Sequence, residues 1–584
     1  MWVPFDISSL NGKNGFTVSN GVSQYSFTTT NNRAGDFNGD GIDDVIIGLT
    51  SSRSGQGYII LGSKSSFSAK FDLSSLNGKN GFKINGLDGS IGIGSSVSGA
   101  GDFNGDGIDD VIIGDPNAGL GGQSYVMFGS KSNFAAAFNV SSLNGVNGFA
   151  LSGHNCIGKQ KIGSSLSGIG DFNGDGFDDV LIGGYSSSWS NFGFVLFGNR
   201  TEFPAQFDLS SLDGTNGFII NDYGYDSDDT SISGAVDING DDLDDIIIGI
   251  SGKTSVIFGS KNISANFHLA SLDGNNGFIL DGVDSAGSSV SGAGDVNKDG
   301  YDDIIIGAPD EAEGKSYVVF GKSSFKSKVD LASLDGNNGF VLNGYGGGAG
   351  SSVSGAGDVN KDGFDDVIIL DDDVSDSSGI VGQGYVVFGR NTFPSQFDLS
   401  GLNGINGRVI KSDSSNSVDG PVNGIGDING DGYDDIIIGG YGQDPDDSGD
   451  GYVITPNYIV YGPLINYSII GISVGIAAAS LLGVWLLGNA KYLCKPGDRK
   501  GHYESTGYHY EVDTGTRIGG MPVTQKEYQP GLPRWVDEGS LLPSGTEWVY
   551  ETRFLGTFGH WVQKSIEEGG TELAGGLSDS LMGS

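Results

Sequence analysis

Two cysteines, five histidines and fourteen prolines are spread over 584 residues. Cys156 and Cys494 lie on opposite sides of a long apolar run near residue 480, which excludes a disulfide framework. Only His154 and His268 fall in the first 460 residues, in different repeats. No His/Cys metal cluster, Gly-x-Ser-x-Gly elbow or phosphate-cradling loop accompanies them, so catalysis has little to stand on. Basic residues are scarce too: 31 Lys and Arg stand against 72 Asp and Glu, a formal charge of −41. Phosphate backbones would be repelled, which argues against nucleic-acid binding. Sustained helical periodicity is missing before residue 460. Apolar residues nevertheless come in short strand-like runs, unlike those of a disordered chain.

What is abundant is repetition. The segment Phe5 to Phe16 recurs at Phe71, Phe138, Phe207, Phe267, Val329 and Phe397. A second segment, an acidic loop, recurs from Asp36, Asp102, Asp171, Asp237, Asp295, Asp358 and Asp427. These seven units are each about 58 to 69 residues long, and such a period marks a repeat architecture. Each unit reads as a small-residue strand (Ser95 to Gly101), the acidic loop, and an apolar run buried on both faces (Val111 to Gly114). A Gly/Pro turn, a Tyr-rich strand ending in Phe-Gly (Ser124 to Gly129) and a Phe-Asp-Leu-Ser-Ser-Leu strand with an Asn-Gly or Asp-Gly turn complete it. Four short strands repeated seven times predict an all-β, seven-bladed β-propeller over residues 1–462. The chain begins with the fourth-strand pattern, Phe5 to Leu10, and its last unit stops after the third, Tyr452 to Tyr461. The N-terminal strand is therefore expected to complete the seventh blade and remove free sheet edges.

The acidic loop places oxygen side chains at positions one, three, five and nine, a usable backbone carbonyl at seven, and Gly at six for the turn. A hard cation such as Ca²⁺ takes six to eight oxygens at such spacing. The candidate ligands are Asp36, Asn38, Asp40 and Asp44 with the carbonyl of Ile42, then Asp102, Asn104, Asp106 and Asp110 with Ile108. Asp171, Asn173, Asp175 and Asp179 with Phe177 form the third set, and Asp237, Asn239, Asp241 and Asp245 with Leu243 the fourth. Asp295, Asn297, Asp299 and Asp303 with Tyr301 form the fifth, and Asp358, Asn360, Asp362 and Asp366 with Phe364 the sixth. Asp427, Asn429, Asp431 and Asp435 with Tyr433 are the last. Up to seven Ca²⁺ ions are expected, bound for structure at roughly millimolar affinity. The fourth loop has Asp242 at position six, where strain is expected. Position-eight aspartates, such as Asp43 and Asp109, are expected to face solvent or cap neighbouring backbone. Position twelve is apolar (Ile113), so the loop joins two strands and is not an EF-hand.

The loop, together with Ile-Ile-Gly-Ala-Pro (Ile305 to Pro309) and Tyr-Val-Val-Phe-Gly (Tyr317 to Gly321), resembles the FG-GAP repeat of integrin α-subunit propellers and their bacterial relatives. The resemblance covers about 460 of the 584 residues, with Gly94-Ser95 and Gly287-Ser288 standing where the repeat has Phe-Gly. It implies a non-enzymatic protein of cell adhesion or recognition.

Beyond a linker at 463–467, Ser468 to Gly488 is about 21 residues without a charge, long enough for a transmembrane helix. Lys491, Lys495, Arg499 and Lys500 follow, while no Lys or Arg precedes it back to Lys411. The positive-inside rule then places the propeller outside the cell membrane and residues 489–584 in the cytoplasm, as a single-pass protein. Gly471 and Gly475 offer a helix–helix contact. No leader is read at Met1 to Phe5, so the true start is expected upstream. The tail is expected to be partly disordered, with a small β-rich patch including Glu547 to Phe554. The expected partner is an extracellular protein or glycan. A lectin-type propeller, a structural surface protein and a propeller hydrolase are the rival readings.

Overall fold

The computed structural model describes residues 4–456, with breaks at 20–27, 51–54, 88–89, 120, 154–160, 186–190, 222–229, 251, 376–380, 412–417 and 441–449, and strands between 491 and 565. Two compact units divide at Leu464 and Ile465. The first holds seven sheets of five strands each. The second blade shows the plan. Val97–Gly101, Asp110–Asp115, Gln123–Met127 and Gly148–Ser152 run antiparallel in that order. Gln206–Asp208 then adds a fifth strand in parallel.

That fifth strand corrects the expected four. The Phe-Asp-Leu-Ser-Ser-Leu motif is not the outer strand of its own blade. Its first residues pair with the fourth strand of the preceding blade, as Phe138 does with Ile84. It then turns into a 3-10 helix such as Leu73–Ser75, capped where Asp72 accepts the Ser74 N–H at 2.8 Å. The Asn-Gly turn follows, and the true fourth strand starts at its second Gly, as in Gly81–Asn85. The motif is thus a strap from one blade to the last.

The seven first strands stand side by side around the axis, and Thr28–Gly35 of the first blade meets Val422–Gly426 of the seventh. Their small residues have a steric cause. A Cβ on Gly168 would lie 2.5 Å from the Gly99 carbonyl of the neighbouring blade. The apolar runs of the second strands are buried on both faces, as in Asp110–Asp115, which explains their unbroken Val-Ile-Ile sequences. Seven apolar cores lie between neighbouring blades, not within them. One packs Ile46 and Ile59 of the first blade against Val111, Ile113 and Tyr125 of the second. The last packs Ile425, Ile437 and Val453 of the seventh against Val45 and Ile47 of the first.

The N-terminal segment does complete the seventh blade, but with a different strand from Phe5 to Leu10. Gly15–Ser19 pairs antiparallel with Gly451–Ile454. Phe5–Asp6 instead pairs with Gly407–Lys411 of the sixth blade. The reason is the strap: the motif before each Asn-Gly turn belongs to the preceding sheet.

In the second unit, Lys491–Cys494, Thr546–Glu551 and His560–Ser565 form one sheet, and Arg499–Ser505 pairs with Pro533–Leu541. The β-rich patch expected near Glu547 is therefore present. Among the described residues no helix is long and apolar enough to cross a membrane. The span read at 468–488, with Gly471 and Gly475, lies outside the described residues.

Candidate metal centre

Each acidic loop joins the first strand of a blade to the second, so all seven lie on one face of the propeller. In the second blade, the Asp102 carboxylate accepts the N–H groups of Asp106 at 2.8 Å and Gly107 at 3.0 Å. Asp106 accepts the Ile108 N–H at 3.0 Å. Asp110 accepts from the Asn104 side chain at 3.0 Å and from the Gly129 N–H at 2.8 Å. Gly129 is the glycine of Phe-Gly at the end of the third strand, so that motif supports the loop from below. Loops one, three, five, six and seven repeat the position-one bonds: Asp36, Asp171, Asp295, Asp358 and Asp427 each accept two N–H groups of their own loop. In the fourth loop Asp242 sits at φ 64, the strained left-handed conformation expected, yet its N–H still reaches Asp237 at 2.8 Å.

The position-nine carboxylates are the most constrained. Asp44, Asp110, Asp179, Asp245, Asp303, Asp366 and Asp435 are completely buried. Burial pushes Asp44 and Asp245 up to about 8 and Asp303 up to about 9. It raises Asp110, Asp179, Asp366 and Asp435 as well. After burial, the loop's own aspartates at positions one and five raise them further, and no basic side chain offsets either effect. Asp179 Oδ2 has no hydrogen-bond partner.

Do these residues fit a cation? As placed, no three carboxylates, histidines or cysteines among the described residues stand close enough to share an ion. The donor chemistry does fit. Carboxylate, amide and backbone oxygens converge on one short loop, and a carboxylate oxygen that accepts one N–H keeps a lone pair. Buried carboxylates without a basic partner are what a divalent cation satisfies. On this fit, positions one, three, five, seven and nine of each loop would hold the ion, which would supply positive charge to the buried carboxylates.

The position-eight aspartates do something that sequence reading only half anticipated. They cap backbone, but the backbone of the preceding blade. Asp178 accepts the Asp102 N–H at 2.7 Å, and Asp109 accepts that of Asp36 at 2.7 Å. Asp244, Asp302, Asp365 and Asp434 do the same for Asp171, Asp237, Asp295 and Asp358. Asp43 closes the circle on Asp427 at 2.9 Å and also pairs with Arg33 at 2.8 Å. The glycine before position one makes room for the incoming carboxylate, which approaches Gly101 too closely for any Cβ. No spacing within one unit reveals this ring, because its partners lie about 65 to 76 residues apart or, at the closure, 384. Asp178→Ala leaves the Asp102 N–H without its acceptor and should cost about 1–3 kcal/mol. Asp178→Asn keeps an acceptor and removes repulsion from Asp109, Asp102 and Asp171, so it should be near neutral. Urea midpoints of the two variants check this; equal losses would remove the hydrogen bond as the cause.

The FG-GAP repeat model matches residues 93–127 and 286–319, the first three strands of the second and fifth blades with their loops. Integrin alpha-V of Gallus gallus is 27% identical over 218 residues, covering 34% of this chain and 19% of that protein. Integrin alpha-5 of Xenopus laevis is 29% identical over 224 residues, covering 34% of this chain and 19% of that protein. The chain is an integrin-α-like FG-GAP repeat protein. Integrin alpha pat-2 of Caenorhabditis elegans is likewise 28% identical over 228 residues, 36% of this chain and 17% of that protein. The FG-GAP chain thus spans about a fifth of the length of the curated relatives it matches. Just past the third strand, Gly129 and Gly198, each following Phe, donate their N–H to position nine, as Gly62 after Leu61 does in the first blade.

The face opposite the loops is built by the connections from second to third strand and from fourth strand to the next blade. Leu87, Ile91 and Tyr345 are exposed there, at 38%, 40% and 47%. Asp115 and Asp371 stand at the sixth position of their second strands, the last residue of Asp110–Asp115 but mid-strand in Asp366–Ser375. Ser90 donates its hydroxyl to Asp115 at 2.6 Å. Gly346 occupies the corresponding place in the sixth blade, and Asp371 Oδ2 is buried without a partner. Asp372 and Asp373 beside it are exposed.

Proposed function

We propose that this chain is a surface recognition or adhesion protein whose propeller is stabilised by calcium and binds a protein partner through the face opposite the loops. The observation that carries the reading is the division of labour between faces. One face commits its carboxylates to seven structural loops. The other, in an integrin-α-like repeat protein, exposes Leu87 and Ile91 at the entry to the second blade, and Tyr345, Asp372 and Asp373 at the sixth. Apolar residues rimmed by charge on loops held by a rigid scaffold suit protein recognition. In this proposal residues 468–488 anchor the chain in the cell membrane with the propeller outside, and no catalysis is assigned.

The test is capture of labelled cell-surface proteins on the immobilised chain, with calcium and with chelator. Specific capture that falls at least tenfold in Leu87→Asp/Ile91→Asp and in Tyr345→Ala supports the reading. Capture indifferent to both variants refutes the face, and binding to a glycan array alone would make the protein a lectin. Protease on intact cells checks orientation, since a fully protected propeller contradicts an outside location.

A further inference from the structure

The seven loops are not equivalent, and the difference lies at position four. In loops one to four and seven it is glycine: Gly39, Gly105, Gly174, Gly240 and Gly430, all at φ between 69 and 75. In loops five and six it is lysine, held in the same left-handed conformation: Lys298 at φ 60 and Lys361 at φ 59. A long side chain in this conformation is uncommon and costs about 1 kcal/mol or more. Each lysine reaches into the next blade. Lys298 Nζ stands 5.2 Å from the centre of the Phe364 ring, and Lys361 Nζ 5.0 Å from that of Tyr433. Phe364 and Tyr433 are the position-seven residues whose carbonyls belong to the candidate ligand sets of loops six and seven.

The ammonium groups also lie over position six of those loops. A Cβ built on Gly363 would meet Lys298 Nζ at 2.7 Å, and one on Gly432 would meet Lys361 Nζ. Gly41, Gly107, Gly176 and Gly300, the position-six glycines of loops one, two, three and five, have nothing within 4 Å of that point. Other cations approach the loops, but not at position six: the aliphatic carbons of Lys131, Lys261 and Lys64 pack over position four of loops one, three and seven, and Arg200 donates to the Gly105 carbonyl of loop two at 2.7 Å with its guanidinium 5.7 Å from the centre of the Phe177 ring of loop three. Lysine at position four thus places a tethered positive charge at the mouth of the loop one blade further on.

We infer that Lys298 and Lys361 make loops six and seven weaker calcium sites than the rest, dividing the ring into two affinity classes. The inference rests on the calcium reading above. A fixed ammonium repels a divalent ion and offsets part of the carboxylate charge that would attract it. At a separation of several ångströms in a partly solvated loop, this amounts to about tenfold in affinity. The chain would then fill most loops at one calcium level and complete blades six and seven only at a higher one.

Hydrogen exchange read by mass spectrometry on the intact chain in mild detergent, across a calcium titration, resolves the loops individually. The expected result is a protection midpoint for peptides covering 358–366 and 427–435 about tenfold higher in calcium than for those covering 36–44 and 102–110. Lys298→Asn with Lys361→Asn removes both charges in a residue that tolerates the left-handed conformation, and should bring the two high midpoints down to the others. Lys298→Arg with Lys361→Arg should leave them high. One common midpoint in the wild type, or equal shifts in the Asn and Arg variants, overturns the inference and leaves calcium binding standing. No calcium-dependent protection in any loop overturns both.

Discussion

Deleting residues 1–19 is expected to abolish the cooperative unfolding transition of the propeller. The strand Gly15–Ser19 is bonded on both sides, to Gly451–Ile454 and to Lys70–Asp72, so it joins the end of the repeat array to its beginning. Phe16 is 1% exposed and Val18 is completely buried, in the core shared by the seventh and first blades. Phe16 also stacks on Phe67 with ring centres 4.3 Å apart. Without this strand, Gly451–Ile454 becomes an open edge beside an uncovered core, a template for aggregation. A point substitution isolates the packing contribution. Phe16→Ala should cost about 3–5 kcal/mol, a large share of the roughly 5–15 kcal/mol by which folded proteins are stable. Val146→Ala, at a turn residue 77% exposed, should stay within about 0.5 kcal/mol. Circular dichroism melts and size-exclusion profiles of the three proteins decide. An undiminished transition after the deletion would mean that the ring does not depend on its N-terminal closure.

Much of this architecture was legible because the same physical problem recurs seven times. The number of blades, the crowded first strand and the buried second strand follow from repeat count, small residues and unbroken Val-Ile-Ile runs. The position of Phe-Asp-Leu-Ser-Ser-Leu was not legible. A short apolar–polar alternation reads as a strand wherever it falls, and nothing in Phe71 or Asp72 says which sheet accepts it. The parallel pairing of Phe71 with Val18, in the sheet of the seventh blade, is set by the three-dimensional order of the blades. The loops show the same division. Positions one, three, five and nine were visible as a spacing, as was the strain at Asp242. The role of position eight was not, because Asp178 acts on Asp102 in another repeat. Even the lysines at position four look like ordinary loop residues until the ring brings Lys298 onto Phe364.

On the calcium reading, the chelated protein should lose stability as pH rises from about 5 to 9, while the calcium-loaded protein should not. Asp44 and Asp245 titrate near 8 in the folded chain and Asp303 near 9, against an ordinary value of 3.8. A folded-state pKa above the unfolded one means that the native state binds more protons between those two values. Stability without an ion is then greatest below about pH 4 for these groups and falls until their folded pKa is passed. Every tenfold gain in a carboxyl's proton affinity corresponds to about 1.4 kcal/mol, before relaxation of the loop. All seven position-nine carboxyls are completely buried and all are pushed in the same direction, so their effects add. Ionising them without a counter-charge should therefore destabilise the ring. A divalent ion in each loop supplies that charge and reverses the slope, because protons now compete with the metal and stability declines toward acid. Thermal melts at pH 5.5, 7 and 8.5, with 2 mM calcium or with chelator, should diverge: similar midpoints at the acid end and a gap of at least about 10 °C at pH 8.5, since several kcal/mol separate the two states there. Parallel curves at all three values would show that the buried aspartates are satisfied without a cation.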